Sequence, residues 1–298
     1  MLSHAPARRT LSSSLMAALA TLCLSAPAHA IDVDAGDYEP AAPGTNVALL
    51  YLQHARNDGL YSNGDRQAGN NRLNTDIGIF RAVHFMEIGG IVADPQILIP
   101  FGRVAGKGDT SGLGDASGIG DPILAATFWV QNDPVNKVYT GITPYLYVPI
   151  GSYDRNDALN LGENRWKYNL QVAHVRRLSK DFSLDLVGDV MLYGDNTDFG
   201  ATGQRLEQKP LVQGQVWLRY HLSPTADLRL LLSHTVGGET KIDGTQQNDE
   251  RRTTKFAVGG SVFVGPKTQL LGMIGRDASV EQGFREESRI NVRILQVF

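Results

Sequence analysis

Apolar and polar residues alternate along two consecutive stretches in the middle of the chain. Residues 166–177 place Trp166, Tyr168, Leu170 and Val172 on one face, and residues 182–193 repeat the pattern. Successive side chains of a β-strand point to opposite faces, so this period of two predicts a hairpin with its turn at residues 179–181. Each run has about 11 to 13 residues. A soluble strand usually has about 5 or 6 residues, whereas a tilted membrane-spanning strand has roughly 9 to 11.

The same alternation recurs along the chain, with no helical stretch of note between the runs. The predicted strands lie near 46–55, 72–84, 88–103, 119–131, 137–150, 166–177, 182–194, 208–222, 227–237, 254–264, 268–278 and 288–298. Bacterial outer-membrane barrels have an even number of antiparallel strands. We therefore predict an all-β protein: a closed antiparallel transmembrane β-barrel of about twelve strands over residues 46–298.

The predicted connections alternate in length. The short ones are residues 132–136, 179–181, 223–226 and 265–267, and the long ones are 56–71, 105–118, 152–165, 195–207, 238–253 and 279–287. Short periplasmic turns and long extracellular loops are typical of outer-membrane barrels. In a soluble sandwich or lipocalin-like barrel, nothing favours a long loop at every second connection. A β-propeller would need four strands per repeat, whereas the pattern predicts two.

The C-terminal residues fit the same architecture. Ile290, Val292, Ile294 and the final Phe298 share one face, although Gln296 interrupts it. An outward aromatic at the last position is a feature we associate with outer-membrane sorting by the barrel-assembly machinery. Prolines within the predicted strands oppose regular ladders, because proline has no N–H to donate, so we expect bulges or strand ends there. These prolines are Pro100, Pro122, Pro144, Pro149 and Pro210.

Residues 1–30 have the pattern of a cleaved export signal. Arg8 and Arg9 precede an apolar core at residues 15–24, and residues 28–30 form an A-x-A cleavage site. The only cysteine, Cys23, falls within that core. Cleavage would leave a mature chain without cysteine, and the loss of two arginines would change the net charge from -3 to -5. Residues 31–45 are polar and are predicted to form an irregular periplasmic lead-in.

This composition argues against several classes of function. No basic stripe for nucleic acid remains, and no thiolate can serve catalysis or metal binding. His174, His221 and His234 could act as bases, but no G-x-S-x-G or H-E-x-x-H motif accompanies them. We therefore predict no enzyme activity, no cofactor and no metal centre. The acidic loop residues 195–198 and 249–250 could hold divalent cations together with lipopolysaccharide, or they could simply be solvated.

Polar residues on the inner faces of the predicted strands are the functional candidates. Charges enclosed in a barrel are costly unless they are paired or in contact with water. They would therefore either border a water-filled path or pair across the lumen and close it. For Asp185 and Asp189, pairing with Lys167 and Arg219 is one expectation. The full set of pore-lining candidates is Lys167, Gln171, Asp185, Asp189, Gln213, Gln215, Arg219, Arg229, Lys255 and Arg293.

Outward aromatic residues near the predicted strand ends form a second set. Aromatic rings favour the headgroup layer of a membrane and form girdles around outer-membrane barrels. The predicted membrane-interface residues are Trp166, Tyr168, Phe182, Tyr220 and Phe298.

Several segments together resemble a family of proteobacterial outer-membrane proteins named after the meta pathway of phenol degradation and often described as transporters. The segments are SGIGDP at 117–122, TPYLYVPIGSYD at 143–154, LNLGENRWKYNLQ at 159–171, LDLVGDV at 184–190 and YGDN at 193–196. The resemblance implies an exported β-barrel linked to the degradation of aromatic compounds. It implies no catalytic residue and no substrate site.

The sequence therefore predicts an outer-membrane channel or uptake protein for small, apolar or aromatic compounds. Its expected partners are outer-membrane lipid and lipopolysaccharide, the solute, and the barrel-assembly machinery through the C-terminal strand, with no nucleic acid. The alternative is a non-conducting barrel with a structural, adhesive or partner-binding role. A lumen sealed by ion pairs would favour this alternative.

Overall fold

The computed structural model describes residues 33–298, and twelve long strands form its main sheet. Each strand pairs antiparallel with its neighbours, and the last strand pairs with the first from Val47 opposite Val297 to Tyr61 opposite Gly283. The barrel is thus closed, which confirms the predicted architecture. The strands are β1 (Asn46–Ser62), β2 (Asn71–His84), β3 (Ile91–Gly108), β4 (Ile123–Asp133), β5 (Val138–Tyr147), β6 (Lys167–Arg177), β7 (Phe182–Tyr193), β8 (Leu211–Ser223), β9 (Ala226–Gly237), β10 (Arg251–Phe263), β11 (Thr268–Val280) and β12 (Gly283–Val297).

The alternation along each strand becomes an inner and an outer surface. In β7, Ser183, Asp185 and Asp189 are buried, whereas Leu186 and Leu192 are exposed. A soluble protein would be destabilised by so many exposed apolar side chains, but a lipid environment removes that cost. Among the described residues, no helix is long and apolar enough to cross a membrane.

The two ends of the barrel differ as predicted. Four connections at one end, which we call the turn end, are short: residues 134–137, 178–181, 224–225 and 264–267. A fifth is extended by a short strand, Met86–Ile88, that pairs with the start of β3 across Gly89 and Gly90. Most of the connections at the opposite end, which we call the loop end, are longer and carry additional structure.

Two of the predicted long loops are wrong, because the strands continue beyond the apolar band. β1 extends to Ser62 and turns at Asn63 and Gly64, both with positive φ, into a two-residue strand, Asp65–Arg66. β11 and β12 are separated by two residues only. On this side of the barrel, the paired strands therefore extend further toward the loop end than the apolar alternation indicates. An Asn-Gly pair is the strongest short-range hairpin signal, and it marks the turn after β1 in the sequence.

Other loop residues form a second sheet at the loop end. Four short strands pair in the order Asn196–Phe199, Gln204–Gln208, Thr240–Ile242 and Thr245–Gln246. Between β3 and β4, a short helix at Ser111–Leu113 is followed by the strand Asp115–Ile119, which pairs with β3.

The segment before β1 is irregular as predicted, but its position differs from the expected periplasmic lead-in. From Val33 to Glu39 it lies inside the lumen, where its acidic residues bond to arginines of the barrel wall. Buried arginines need a carboxylate partner, and the segment supplies it. The predicted signal at residues 1–30 lies outside the described residues.

The prolines behave largely as expected. Pro122, Pro149 and Pro210 lie just outside strand ends, while Pro100 lies in β3 beside an irregular part of the ladder. Pro144 remains in the middle of β5, opposite Leu170.

One glycine in the wall sets how closely two strands approach. A Cβ on Gly259 would lie 2.0 Å from the carbonyl oxygen of Gly272, whereas a Cβ on Gly272 would meet nothing within 4 Å. Overpacking of this kind costs about 1–3 kcal/mol. We expect Gly259→Ala to lower the free energy of unfolding by about that amount and Gly272→Ala to leave it nearly unchanged. Urea unfolding in lipid, followed by tryptophan fluorescence, tests this, and equal midpoints for the two variants would contradict it.

Candidate functional site: a plugged lumen with a chamber at the loop end

The structure places all ten predicted pore-lining side chains on the inner surface of the barrel, and each is buried. They do not form one open path. Arg219 pairs with Asp185 at 2.9 Å, as one expectation had it. Lys167, however, pairs with Glu163 from the preceding loop at 2.5 Å, and Asp189 accepts a hydrogen bond from Asn169.

The other predicted lumen residues are also engaged. Gln171 accepts hydrogen bonds from Tyr38 and Tyr145, and Gln213 donates to Ser233. Gln215 donates to Gln213 and accepts from Trp217. Lys255 lies 3.7 Å from Glu286, and Arg229 forms an ion pair with Asp227. The inner surface is therefore largely self-compensated.

Residues 33–39, which we call the plug, are held by ion pairs to the wall. Arg293 of β12 donates to Asp34 at 2.9 Å and to Asp37 at 2.8 Å, and Arg81 of β2 donates to Asp37 at 2.8 Å. Arg219 of β8 pairs with Glu39 at 2.5 Å. The plug thus brings three carboxylates to three arginines of the wall, of which Arg219 and Arg293 are buried and Arg81 is partly buried.

Neutral contacts hold the plug against the rest of the wall. The Tyr38 hydroxyl lies 2.6 Å from the Thr143 hydroxyl, and the Trp129 indole donates to the Tyr38 carbonyl at 3.0 Å. The Gly36 amide donates to Asp185, and Arg229 donates to the carbonyl of Ala35. Together the polar contacts reach eight strands, namely β2, β4, β5, β6, β7, β8, β9 and β12. The plug therefore spans the lumen within its turn-end half.

The plug divides the lumen into two spaces. Below it a vestibule of about 340 Å³ opens at the turn end, lined by Arg219, Arg229, Phe263 and Val297 among others. Above it lies a chamber of about 220 Å³, whose floor includes Val33, Asp37 and Tyr38.

The chamber has mainly apolar walls, and its charges are compensated. Arg81 pairs with Asp37, Lys167 with Glu163, and Arg289 with Glu286 at 2.7 Å. A further lining residue, Asp121, accepts two backbone N–H groups. The apolar and aromatic lining consists of Val33, Tyr51, Ile77, Ile79, Leu98, Pro100, Phe101, Ile123, Tyr145, Tyr147 and Leu161.

One wall of the chamber is built by three loop segments that meet at Asp121. Its carboxylate accepts the amide N–H of Gly151 at 3.0 Å and that of Glu163 at 2.9 Å. A Cβ on Gly162 would lie 2.7 Å from the carbonyl carbon of Gly151, and a Cβ on Gly151 would lie 2.6 Å from that of Gly120. Only glycines permit this approach, which turns the loop before β6 inward and places Leu161 and Glu163 in the chamber.

Glu163 is the electrostatic centre of this wall. Burial by itself raises the pKa of the Glu163 carboxyl. The positive charges of Lys167 and Arg165 lower it by more, so that the resulting pKa is about 2. Arg165 donates to Glu163 and to Gln208, and its guanidinium lies 4.6 Å from the ring centre of Tyr193. Glu163 therefore stays ionised at neutral pH.

The predicted interface aromatics all lie on the outer surface. Trp166, Tyr168, Phe182, Tyr220 and Phe298 are exposed, and the rings of Phe182 and Tyr220 pack at 5.1 Å.

Each of the three histidines considered as bases contacts a hydroxyl: His174 contacts Thr140, His234 contacts Thr254, and His221 contacts Ser183. The Nε2 of His221 lies 2.8 Å from the Ser183 Oγ. The carboxylate of Asp227, from the opposite position on β9, forms two bonds to Arg229. The contact thus lacks the oriented acid that completes a catalytic triad.

Comparison with known proteins identifies the family. The family model described as "Putative MetA-pathway of phenol degradation" matches residues 56–294. The chain belongs to this family. An outer-membrane channel from Pseudomonas putida F1 is 43% identical, with a TM-score of 0.87 over 90% of this chain and 100% of that one.

More distant structures share the fold alone. The transport unit of the autotransporter AIDA-I from Escherichia coli is 8% identical, with a TM-score of 0.51 over 89% of this chain and 92% of that one. No curated protein matches the sequence. The barrel and its neighbours support an outer-membrane location.

Sequence reasoning missed the plug, Arg81 and the partnership of Glu163. Three acidic residues within 34–39 were a signal for the plug, because an irregular lead-in does not require them. The arginines that pair with them lie 44 to 259 residues away in the chain. Glu163 stands four residues before Lys167, within the segment 159–171 that carries part of the family resemblance.

Neutralising the plug should open the lumen. Asp34→Asn with Asp37→Asn leaves Arg81 and Arg293 without a carboxylate, and breaking a buried ion pair costs about 3–5 kcal/mol. That is enough to shift plug occupancy by about 10²–10⁴-fold, so we expect larger and more frequent current steps in planar bilayers. Asp195→Asn, which breaks the exposed pair with Arg205, is the matched control. Equal conductance for the two variants would show that these pairs do not hold the plug.

The depressed pKa of Glu163 gives a dependence on acid. Its pKa of about 2, against 4.5 for the free group, means that ionised Glu163 contributes stability above pH 4.5 and loses it as the pH falls toward 2. We expect the difference in unfolding free energy between the wild type and Glu163→Gln to shrink across this window, by about 3 kcal/mol at most. Urea unfolding at several pH values measures it, and a difference that does not change with pH would contradict the ion-pair assignment.

Proposed function

We propose that the protein is a passive outer-membrane channel that takes up small apolar or aromatic compounds and binds them in the chamber above the plug. The observation that carries this proposal is the chamber itself, with its isoleucine, leucine and tyrosine walls and its paired charges. An apolar cavity of about 150 Å³ holds benzene, so about 220 Å³ is enough for a substituted ring. Diffusion down a gradient supplies the driving force, and the solute leaves chemically unchanged.

A hydrophilic solute fits this lumen less well. A polar molecule would have to compete with ion pairs that are already satisfied, and it would meet the plug on its way to the turn end. An apolar solute gains free energy from leaving water and disturbs none of these pairs.

One lining group adds a preference for a polar substituent. The hydroxyl of Tyr147 has no hydrogen-bond partner among the described residues, and the Lys167 ammonium lies 4.6 Å from its ring centre. A buried unpartnered hydroxyl costs free energy, which a solute oxygen can recover. Phenolic compounds therefore suit the chamber, in keeping with the description of the family.

The cellular setting follows from the sequence. In our proposal, residues 1–30 direct export and are removed, and Phe298 in the C-terminal strand is read by the barrel-assembly machinery. The outer aromatics then sit at the interfaces of outer-membrane lipid and lipopolysaccharide.

A second function has an observation in its favour. The plug contacts eight strands, and the four-stranded sheet at the loop end presents its own surface. The plug and this sheet would be sufficient for a non-conducting barrel that serves adhesion or partner binding. The chamber favours the channel, because a purely structural barrel gains nothing from an apolar cavity.

Binding measured by calorimetry in lipid nanodiscs, with empty nanodiscs as the blank, tests the proposal. We expect phenol and toluene to bind, and Tyr147→Phe to weaken phenol by about 2–10-fold through loss of one hydrogen bond while toluene is unaffected. Tyr139→Phe, a buried tyrosine of the same strand outside the chamber, is the control. Absence of binding by either compound would refute the proposed function. Equal weakening of both would refute the role of the hydroxyl.

A further inference from the structure

An apolar cluster covers the chamber toward the loop end. In β2, Leu73 stands two residues beyond the chamber residue Thr75, and in β12, Phe284 stands two residues beyond Glu286. Leu161 packs against the cluster and also lines the chamber, so the two apolar regions are continuous. The cluster, which we call the roof, consists of Leu73, Val104, Leu113, Ala116, Leu159 and Phe284.

Leu159 enters the roof from a loop and not from a strand. Its exposure is 1%, although the residues just before it, 154–158, are exposed. Its neighbours in the loop are hydrogen-bonded: the Asn160 side chain donates to two carbonyls of the preceding turn, and the Gly162 amide donates to the Ser152 carbonyl at 2.9 Å. Leu159 itself takes part in no hydrogen bond within the described part of the chain. Apolar contacts alone therefore hold Leu159 in place.

Ion pairs, in contrast, cross other parts of the chamber near the loop end. Arg289 pairs with Glu286 at 2.7 Å, while Lys167 and Arg165 both donate to Glu163. A solute that entered beside these residues would have to separate opposite charges, which is costly where water is scarce. At the roof a solute displaces apolar side chains only. An apolar solute gains free energy by leaving water there, whereas an ion would lose its hydration without compensation.

The roof extends from the surface of the loop end to the chamber. Leu113 and Phe284 are partly exposed, and Leu73, Val104 and Leu159 are buried beneath them. Leu73 and Val104 belong to β2 and β3, so the barrel ladder fixes their positions. Leu159 is the buried member of the roof that can move aside without breaking a ladder hydrogen bond.

We propose that the roof is the entry gate for the solute and that Leu159 is the residue whose displacement opens it. This gate rests on the proposed function, because it needs a solute that binds in the chamber. The solute displaces the Leu159 side chain, which returns behind it, and hydrated ions are excluded as they are by other hydrophobic constrictions. Leu159 does not belong to the chamber lining. It therefore sets the rate at which the solute exchanges and not the affinity with which the solute binds.

Exchange of 4-fluorophenol, followed by ¹⁹F NMR in lipid nanodiscs with empty nanodiscs as the blank, tests the gate. The bound and free signals report the association rate, the dissociation rate and the dissociation constant in one experiment. In Leu159→Ala we expect both rates to rise by about 10-fold, because entry and release no longer break the contacts of the leucine side chain. The dissociation constant should stay within about 2-fold of the wild-type value, since equal changes in the two rates cancel.

Three further variants serve as controls, and a heat-dependent gel shift establishes that each is folded. Leu159→Met conserves the side-chain volume and should restore rates close to those of the wild type. Leu231→Ala removes the same side chain from a buried site on β9 outside the roof and the chamber, so the exchange rates should not change. Ile79→Ala alters the chamber lining and should weaken binding mainly through faster dissociation.

The outcomes separate the gate from the proposed function. Unchanged rates in Leu159→Ala would overturn the gate and leave the channel function standing. A faster dissociation alone would assign Leu159 to the chamber wall, and an equal acceleration in Leu231→Ala would indicate general loosening of the barrel. Either result also overturns the gate.

Absence of binding by the wild type would refute the channel function, and the gate with it. If Leu159→Ala does not fold, Leu159→Val removes a single methylene group and should give a smaller but still parallel rise in both rates. Unchanged exchange in that variant would overturn the proposal.

Discussion

Charge balance inside the barrel is the constraint on which this structure depends. Closing twelve strands buries Arg219, Arg229 and Arg293 and partly buries Arg81, and a buried guanidinium without a carboxylate would cost several kcal/mol. The wall itself supplies only part of the compensation, for example Asp185 for Arg219. The N-terminal segment supplies the rest, so the plug is a component of the folded barrel and not an accessory to it.

The outer surface follows from the sequence, because lipid imposes a simple rule on it. Every second side chain must be apolar over the thickness of the bilayer, and that rule alone located the twelve strands and the ten inward polar residues. It fails where the ladder leaves the lipid. Beyond Leu52 the outward residues of β1 are His54 and Arg56, and His54 bonds to Asp76 of β2, so the strands continue with polar outer faces. There the Asn-Gly turn, and not hydrophobicity, marks the end of the strand.

Alternation gave the inward direction of the ten candidate residues but missed Arg81, and it did not give the partners of any of them. Alternation indicates that Lys167 points inward, but the geometry of the preceding loop determines which residue pairs with it. Glu163 reaches it because the preceding loop folds into the barrel, whereas Asp189 is engaged by Asn169. The contacts of Asp34 and Asp37 depend on a chain reversal at the barrel entrance that leaves no periodic signal. Long-range pairing of this kind is set by the closed fold as a whole.

The segments that carry the family resemblance build the chamber wall beside an interruption in the pairing of β3, which stops at Leu98 opposite Ile123 and resumes at Phe101 opposite Ile119. Gly151 and Gly162 allow three loop backbones to approach within distances that a side chain at either position would forbid, and Asp121 bonds the resulting inward turn. The backbone amides used in this way are unavailable to the barrel ladder, and the neighbouring prolines have none to offer. The residues that shape the chamber wall therefore lie where the pairing of β3 is interrupted, and the Asp121 carboxylate and the hydrogen bond from the Gly120 amide to the Pro100 carbonyl hold the backbone there.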